Sequence, residues 1–227
     1  MSPFKTLFLS TILASGLAAS GAASATVLFQ NLPDLIRNQT GDCRYNTTCG
    51  PGYFGSTYSG YGAQQFTLTQ AATATSAGFN SVVVEDVFAS GVNWLILAAN
   101  GTGGLPGATL FSGTNTAVTH AVGPVGNLRP TTDYSFGFTP ASLAAGSYYL
   151  AVQAITTNRN DFLSKGVADS GAAQSGDNGA SWAAGYSGNF PSVAMSLTGT
   201  FDNNVPEPGS LALLLVGLAA IYRRKTA

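Results

Sequence analysis

The chain has 227 residues, enough for one domain with accessory segments or for two small domains. Only 8% of the residues are charged and the net charge is −1, so no basic surface for nucleic acid is expected. A helical protein would be rich in Glu, Lys, Arg and Leu. The abundance of Thr, Val, Tyr, Phe and Gly instead favours strands joined by tight turns.

Residues 1–25 have the order of charge and hydrophobicity found in a secretory signal peptide. Lys5 supplies the positive start, residues 6–17 form an apolar run, and Ala23 and Ala25 form a small-x-small cleavage site. A buried N-terminal helix is the alternative interpretation. The cleavage site behind the charged start favours a signal helix, export through the Sec translocon and a mature chain that begins at Thr26.

Two cysteines, Cys43 and Cys49, lie close together in the stretch GDCRYNTTCGPG. A structural zinc site needs four ligands, and neither His nor another Cys is nearby in the sequence. In an exported protein the surroundings are oxidising, and a disulfide is favoured there. We therefore predict a disulfide that closes this small loop and fixes its local shape.

Alternating apolar and polar residues predict strands throughout the middle of the chain. Helical periodicity is weak outside the two ends. The predicted fold is all-β, an antiparallel β-sandwich over residues 26–203, with a jelly-roll-like topology in which the first strand pairs with the last. The predicted strands cover residues 26–32, 64–70, 74–87, 92–100, 108–119, 133–141, 144–156 and 192–201.

Two long stretches, residues 39–62 and 158–191, have no clear periodicity and are predicted to be irregular loops. Long loops on a rigid sandwich are where binding sites are commonly built. Aromatic rings pack against the apolar faces of sugars, so aromatic residues in these loops are candidate glycan contacts; the alternative is that they cap the sandwich edge. The candidates are Tyr53, Tyr58, Tyr61, Trp182 and Tyr186.

Residues for catalysis are sparse, and we do not expect an enzyme. His120 is the one histidine, and no serine lies in a Gly-x-Ser-x-Gly elbow. Glu85 and Asp86 are adjacent, so in a strand they would point to opposite faces and could not act as a carboxylate pair. A hydrolase therefore stays a minor alternative.

Calcium is a second weak possibility, because Asp and Asn oxygens in a Gly-rich loop suit this ion. The best cluster in the sequence is Asp161, Asp169, Asp177 and Asn178. Neither an EF-hand loop nor a Gly-Gly-x-Gly-x-Asp repeat is present. Ordinary solvated turn residues are the favoured interpretation, and no cofactor is expected.

The C-terminal stretch VPEPGSLALLLVGLAAIYRRKTA has three parts. Residues 209–222 are apolar on all sides and would span about 21 Å as a helix, against about 30 Å for a hydrocarbon core. A buried terminal helix is one interpretation. Pro208 before the run and the cations Arg223, Arg224 and Lys225 after it favour a short transmembrane helix whose cations stay cytoplasmic.

This tail resembles a PEP-CTERM sorting tail, with Val205, Pro206, Glu207 and Pro208 as its motif. Such tails occur on exported proteins of Gram-negative bacteria that make extracellular polysaccharide. The resemblance implies recognition by an exosortase, a membrane protease-transpeptidase that cuts at or near Pro-Glu-Pro and releases the protein or transfers it to the surface. The tail also occurs on ice-binding proteins, but that label describes the tail alone.

The sequence thus predicts a signal peptide at residues 1–25, a sandwich at residues 26–203 and a sorting tail at residues 204–227. Between residues 26 and 206, five cations and nine acids leave a net charge of about −4. We expect a non-enzymatic protein of the cell surface or extracellular polysaccharide matrix, held transiently in the inner membrane. A glycan-binding module is the first alternative and a hydrolase the second.

Overall fold

The computed structural model describes residues 25–34, 60–82, 88–122, 131–156, 162–185 and 191–202. These residues form twelve β-strands and one short 3-10 turn, Thr102–Gly104. The strands are β1 Thr26–Asn31, β2 Tyr61–Leu68, β3 Ala72–Val82, β4 Gly91–Ala98, β5 Thr109–Asn115, β6 Thr119–Val122, β7 Thr131–Leu143, β8 Gly146–Ile155, β9 Phe162–Leu163, β10 Ala172–Ser175, β11 Ala183–Ala184 and β12 Met195–Phe201.

Every strand pair is antiparallel, and the strands form two sheets. The first sheet has the order β1-β12-β3-β7-β6, with β9 beside β3; the second has the order β11-β10-β2-β8-β4-β5. The predicted pairing of the first strand with the last is confirmed, since Phe29 of β1 lies opposite Leu197 of β12. It does not remove a sheet edge, because β1 itself becomes the outermost strand of the first sheet.

The alternation of side chains places the main core between the two sheets. In β7, Tyr134 and Phe136 are buried while Ser135 is exposed, as expected for a strand with one covered face. Aromatic pairs join the sheets: the ring centroids of Phe29 and Phe66 are 5.4 Å apart. Removing these apolar side chains from water is the main favourable contribution to folding, about 25 cal/mol per Å² buried.

One predicted strand, residues 108–119, is divided in the structure. The chain leaves the second sheet after β5 and enters the first sheet at β6. Asn115 explains the break, because its side-chain oxygen accepts a hydrogen bond from the backbone N–H of Ala117 at 2.9 Å. The amide nitrogen of Asn115 also donates to the backbone oxygen of Gly137 in the first sheet. Asn115 thus stabilises the turn by which the chain passes from the edge of the second sheet to the edge of the first.

The prediction of an irregular loop over residues 158–191 is wrong in part, because the described residues there include three short strands, β9, β10 and β11. Side chains from distant strands hold this segment. The Gln64 side-chain oxygen accepts from the N–H of Val193 at 2.9 Å, and its nitrogen donates to the oxygen of Ser170 at 3.2 Å. Asn31 binds the segment in the same way, donating to Val193 at 2.8 Å and accepting from Ala168 at 3.1 Å.

Several predictions fall on residues outside the described ranges. Among the residues that are described, no helix has the length and apolar character needed to cross a membrane. The predicted signal and transmembrane helices, the cysteine loop and most of the tail lie outside those residues, and Ala25 at the cleavage site is described as exposed. The residues outside are Ala23, Cys43, Cys49, Tyr53, Tyr58, Glu85, Asp86, Asp161, Tyr186, Val205, Pro206, Glu207, Pro208, Arg223, Arg224 and Lys225.

Candidate functional site

The outer face of the second sheet carries a second apolar cluster, separate from the main core. Ala63 of β2 lies opposite Ala151 of β8, which lies opposite Leu95 of β4, so these side chains share one face. Their strand neighbour Trp94 lies on the other face, in the main core. This outer-face cluster comprises Tyr61, Ala63, Leu97, Tyr149, Ala151 and Ala173, with Leu95, Ala99, Leu105 and Trp182 packed against it.

Two of the candidate glycan contacts meet in the outer-face cluster. The ring centroids of Tyr61 and Trp182 are 6.3 Å apart, with the ring planes tilted by 53°. Tyr61 does not lie in a loop as predicted: it begins β2 and is only 8% exposed. The small side chains of Ala63 and Ala173 beside it leave room for its ring on the sheet. Burial of this ring raises the pKa of the Tyr61 phenol.

Trp182 covers this cluster and remains half-buried. Its indole N–H is buried, and none of the described residues accepts a hydrogen bond from it. A buried donor without a partner costs about 1–3 kcal/mol, so native proteins usually supply an acceptor, a water or a ligand oxygen. Trp182 thus presents both an apolar ring and an unused polar group.

Tyr149 of β8 supplies a third aromatic ring to the cluster, and its sequence pattern predicted only that it lies in a strand. Its hydroxyl donates to the backbone oxygen of Gly104 at 3.1 Å, and this bond fastens the Thr102–Gly104 turn to the sheet. Burial raises the pKa of the Tyr149 phenol as well. The two consecutive tyrosines of SYYLAV could have indicated this outer-face ring, because in a strand one of the two must face away from the main core.

A row of hydrogen-bonded polar side chains, here called the polar ladder, crosses the same face beside the aromatic rings. The Thr114 hydroxyl donates to Asn93 Oδ1 at 2.7 Å, and Asn93 Nδ2 donates to Gln153 Oε1 at 2.8 Å. Gln153 Nε2 then donates to Asn178 Oδ1 at 3.3 Å. The ladder holds four polar side chains in one line, from β5, β4, β8 and the turn after β10.

The turn that carries Trp182 is held by Asp177. Asp177 Oδ1 accepts from the Ser175 hydroxyl at 2.7 Å and from the Ser181 N–H at 2.9 Å, and Oδ2 accepts from the Ser181 hydroxyl at 2.6 Å. These bonds, led by that from the Ser181 hydroxyl, lower the pKa of Asp177 to about 2. Asn178 completes the turn with a φ of 58°, which Asn tolerates better than most residues.

The residues considered for calcium are therefore engaged locally or placed apart. Asp177 and Asn178 make the turn contacts just described, and Asp169 is exposed on a preceding bend. In the described part of the chain, no three His, Cys, Asp or Glu side chains come together as a metal site would require.

His120, considered for catalysis, lies at the edge of the first sheet. Its ring stacks on the exposed ring of Phe88, with the centroids 4.1 Å apart. The ring of Tyr134 is 6.2 Å away. His120 thus extends an aromatic row, in keeping with the role of a surface strand residue.

The outer face of the first sheet has a groove of about 490 Å³. Its floor includes Gly78 and Ser196, whose small size makes it concave. The larger polar groups already bind one another: Asn80 Nδ2 donates to Asp133 Oδ1 at 2.7 Å and to the Thr131 hydroxyl at 3.1 Å.

Residues 204–225 match a family model described as the PEP-CTERM protein-sorting motif. The chain carries a PEP-CTERM sorting motif. No curated protein is significantly similar to the chain. The predicted sorting residues from Val205 to Pro208 and the cations Arg223, Arg224 and Lys225 all lie within the match. The PEP-CTERM motif implies recognition by an exosortase, export with a membrane-anchored C-terminal signal, and then the cell surface.

The PEP-CTERM motif and the outer-face cluster thus occupy different parts of the chain. The motif implies where the protein is sorted, and it does not identify a ligand. The cluster, built from strands β2, β4, β8 and β10 and the turn before β11, is the best-formed candidate for contact with a ligand. The polar ladder beside it could not be found from the sequence, because Asn93 and Gln153 occupy ordinary alternating positions 60 residues apart.

Proposed function

We propose that this chain is a non-enzymatic protein of the bacterial cell surface or extracellular polysaccharide matrix, delivered there by exosortase sorting. The observation that carries the proposal is the PEP-CTERM motif at residues 204–225. The apolar run at residues 209–222 acts as a temporary inner-membrane anchor, with the terminal cations on the cytoplasmic side. The β-rich part is the portion that works outside the cell, without a cofactor.

The strand orders support a jelly-roll-like sandwich for this exported part. Eight strands form two sets of four, β1-β12-β3-β7 and β2-β8-β4-β5, and the chain crosses between the sheets repeatedly. Two interlocked Greek keys give this alternation. Such a body is rigid and has long connections at its ends, which suits a surface or matrix component.

Deleting residues 205–227 tests the sorting proposal. Without the motif, an exosortase has nothing to recognise, so the truncated protein should fail to reach the location of the full chain. Cell fractionation and immunoblotting would measure this. A control is Gln30→Ala in the full chain, an exposed change on β1 that leaves the motif intact. Equal localisation of the truncated and full proteins would rule out the sorting role.

We propose glycan binding as a second, more specific activity of the exported part. The Trp182 indole supports it, because this half-buried ring lies over the buried Tyr61 ring and can receive the apolar face of a sugar on its exposed side. The exposed ends of the polar ladder, Thr114 and Asn178, would offer a hydroxyl and an amide group to sugar hydroxyls.

Binding of the exported protein to the host polysaccharide tests this activity. Trp182→Ala should weaken binding by about tenfold or more, because loss of an aromatic anchor costs about 2 kcal/mol or more and about 1.4 kcal/mol corresponds to tenfold. Phe88→Ala is the matched control, since Phe88 is also a partly exposed ring but lies by the first sheet. Unchanged affinity of the Trp182 variant, or no binding by the natural protein, would remove this candidate.

A further inference from the structure

The turn that carries Trp182 also carries a charged side chain. Asp177 lies five residues before Trp182 and is exposed. Its two carboxylate oxygens accept hydrogen bonds from the N–H and the hydroxyl of Ser181, the residue directly before Trp182. The carboxylate is thus fixed beside the backbone of Trp182, close to the surface that the proposed glycan would contact.

The charge of Asp177 is present at neutral pH. The hydrogen bonds from Ser181 and Ser175 favour the ionised carboxylate and lower the pKa of Asp177 to about 2. Because these donors already occupy both oxygens, the carboxylate has little capacity left to bind a ligand directly. It acts on a ligand mainly through the electrostatic field of its charge.

The other polar groups described on this face are uncharged. The polar ladder consists of amide and hydroxyl side chains alone. Among the residues that the structure describes, Lys165 is the one lysine or arginine, and it forms an ion pair with Asp34. No described cation is therefore free to offset the charge of Asp177 beside the Trp182 indole.

This arrangement distinguishes sugars by their charge. A neutral sugar can contact the indole and the polar ladder without an electrostatic penalty. A sugar carboxylate there would be repelled by Asp177. At a separation of about 6 Å, two like charges in water repel enough to lower affinity about threefold, and the effect is larger near a protein surface.

We propose that Asp177 disfavours carboxylated sugars at the Trp182 indole, so that the ligand of the outer-face cluster is a neutral glycan. This inference rests on the glycan-binding activity proposed above and names its ligand class. Asp177 then has two roles in one turn. Its hydrogen bonds position the indole, and its charge selects the sugar that the indole receives.

A matched pair of polysaccharides tests the ligand class. The carboxyl groups of the host polysaccharide are first reduced to primary alcohols, which gives a neutral preparation. Part of it is then oxidised at its primary alcohols to carboxylates. At low salt the exported protein should bind the neutral preparation about threefold more tightly or better, and high salt should shrink this difference by screening.

Two lysine variants separate the charge at the turn from the charge of the whole protein. Ala180→Lys adds a cation at an exposed position of the same turn and leaves Asp177 in place. It should strengthen binding of the oxidised preparation and leave the affinity for the neutral one unchanged. Val27→Lys adds the same charge at an exposed position on the first sheet and should keep the preference for the neutral preparation.

The outcomes distinguish the ligand class from glycan binding itself. Equal or tighter binding of the oxidised preparation by the natural protein would overturn the neutral class and leave glycan binding in place. The role of Asp177 would also be overturned if Val27→Lys abolished the preference as fully as Ala180→Lys. Binding of neither preparation would remove the glycan-binding activity, and this inference with it.

Discussion

Asp177 holds together the turn that brings Trp182 onto the second sheet. Its two carboxylate oxygens accept from Ser175 and Ser181, and the N–H of Gly179 donates to the Ser175 hydroxyl at 2.8 Å. These bonds are to the charged form of the carboxylate. The position of the indole therefore depends on one ionised side chain, and the sequence motif SGDNGAS encodes it.

The low pKa of Asp177 predicts how the turn responds to acid. The folded pKa of about 2 lies below the ordinary value of 3.8, so ionised Asp177 stabilises the turn fully above pH 3.8. This contribution should decline as the pH falls from 3.8 through about 2. NMR of the Trp182 indole N–H should show a transition near pH 2. Asp177→Asn should abolish that transition. A transition midpoint near pH 3.8 in the natural protein would contradict the hydrogen bonds to the Asp177 carboxylate.

At the scale of elements, buried amides attach the segment from β9 to β12 to the rest of the fold. Asn31 and Gln64 are 4% and 3% exposed, and each binds backbone groups of this segment. The Ser192 hydroxyl donates to the oxygen of Gly166 at 3.0 Å within it. Lys165 adds an ion pair with Asp34, 3.1 Å between Nζ and Oδ2. Between the short strands of this segment, these side-chain contacts add to the backbone hydrogen bonds.

Replacing Gln64 by methionine tests this attachment. Methionine keeps the size and removes both polar groups, so the N–H of Val193 and the oxygen of Ser170 lose their partner. The free energy of unfolding should fall by about 1–3 kcal/mol for a buried group left unpaired. Urea unfolding measures it. Gln30→Met, at an exposed position, should stay within about 0.5 kcal/mol; equal losses in both would refute the attachment.

The long strands could be predicted from the sequence because their alternation is local. The ends of β7 and β8, for example, differ from the predicted ranges by only one or two residues. The short strands β9, β10 and β11 could not be predicted from the sequence. The side chains of Asn31 and Gln64, which hold this segment, are more than 100 residues away along the chain. Tyr61 was assigned to a loop because glycines flank it, while its burial depends on Ala173 of β10.

The candidate site was predictable only in part. Aromatic residues in glycine-rich stretches predicted Tyr61 and Trp182 as candidate contacts, and these two rings lie together in the structure. Their burial and the polar ladder depend on sheet register, which residue types alone do not specify. Cys43, Cys49, Tyr53, Tyr58 and Tyr186 lie outside the described residues, so the disulfide and three of the glycan contacts stay predictions.

At the scale of the whole molecule, delivery and function belong to different segments. The PEP-CTERM motif lies at the C-terminal end of the chain, and the β-rich part carries the outer-face cluster. Four of the nine cations, Lys5 and the Arg-Arg-Lys cluster, lie in the predicted targeting segments. The exported part would therefore be mildly acidic and rely on aromatic and amide groups for recognition.

The intact mass of the protein recovered from the cell surface or medium tests the central claim most directly. We predict a chain that begins at Thr26 and ends at or near Pro206, without the apolar run and the terminal cations. Mass spectrometry would give both ends in one measurement. A surface or released protein that still contains residues 209–227 would contradict cleavage at the PEP-CTERM motif.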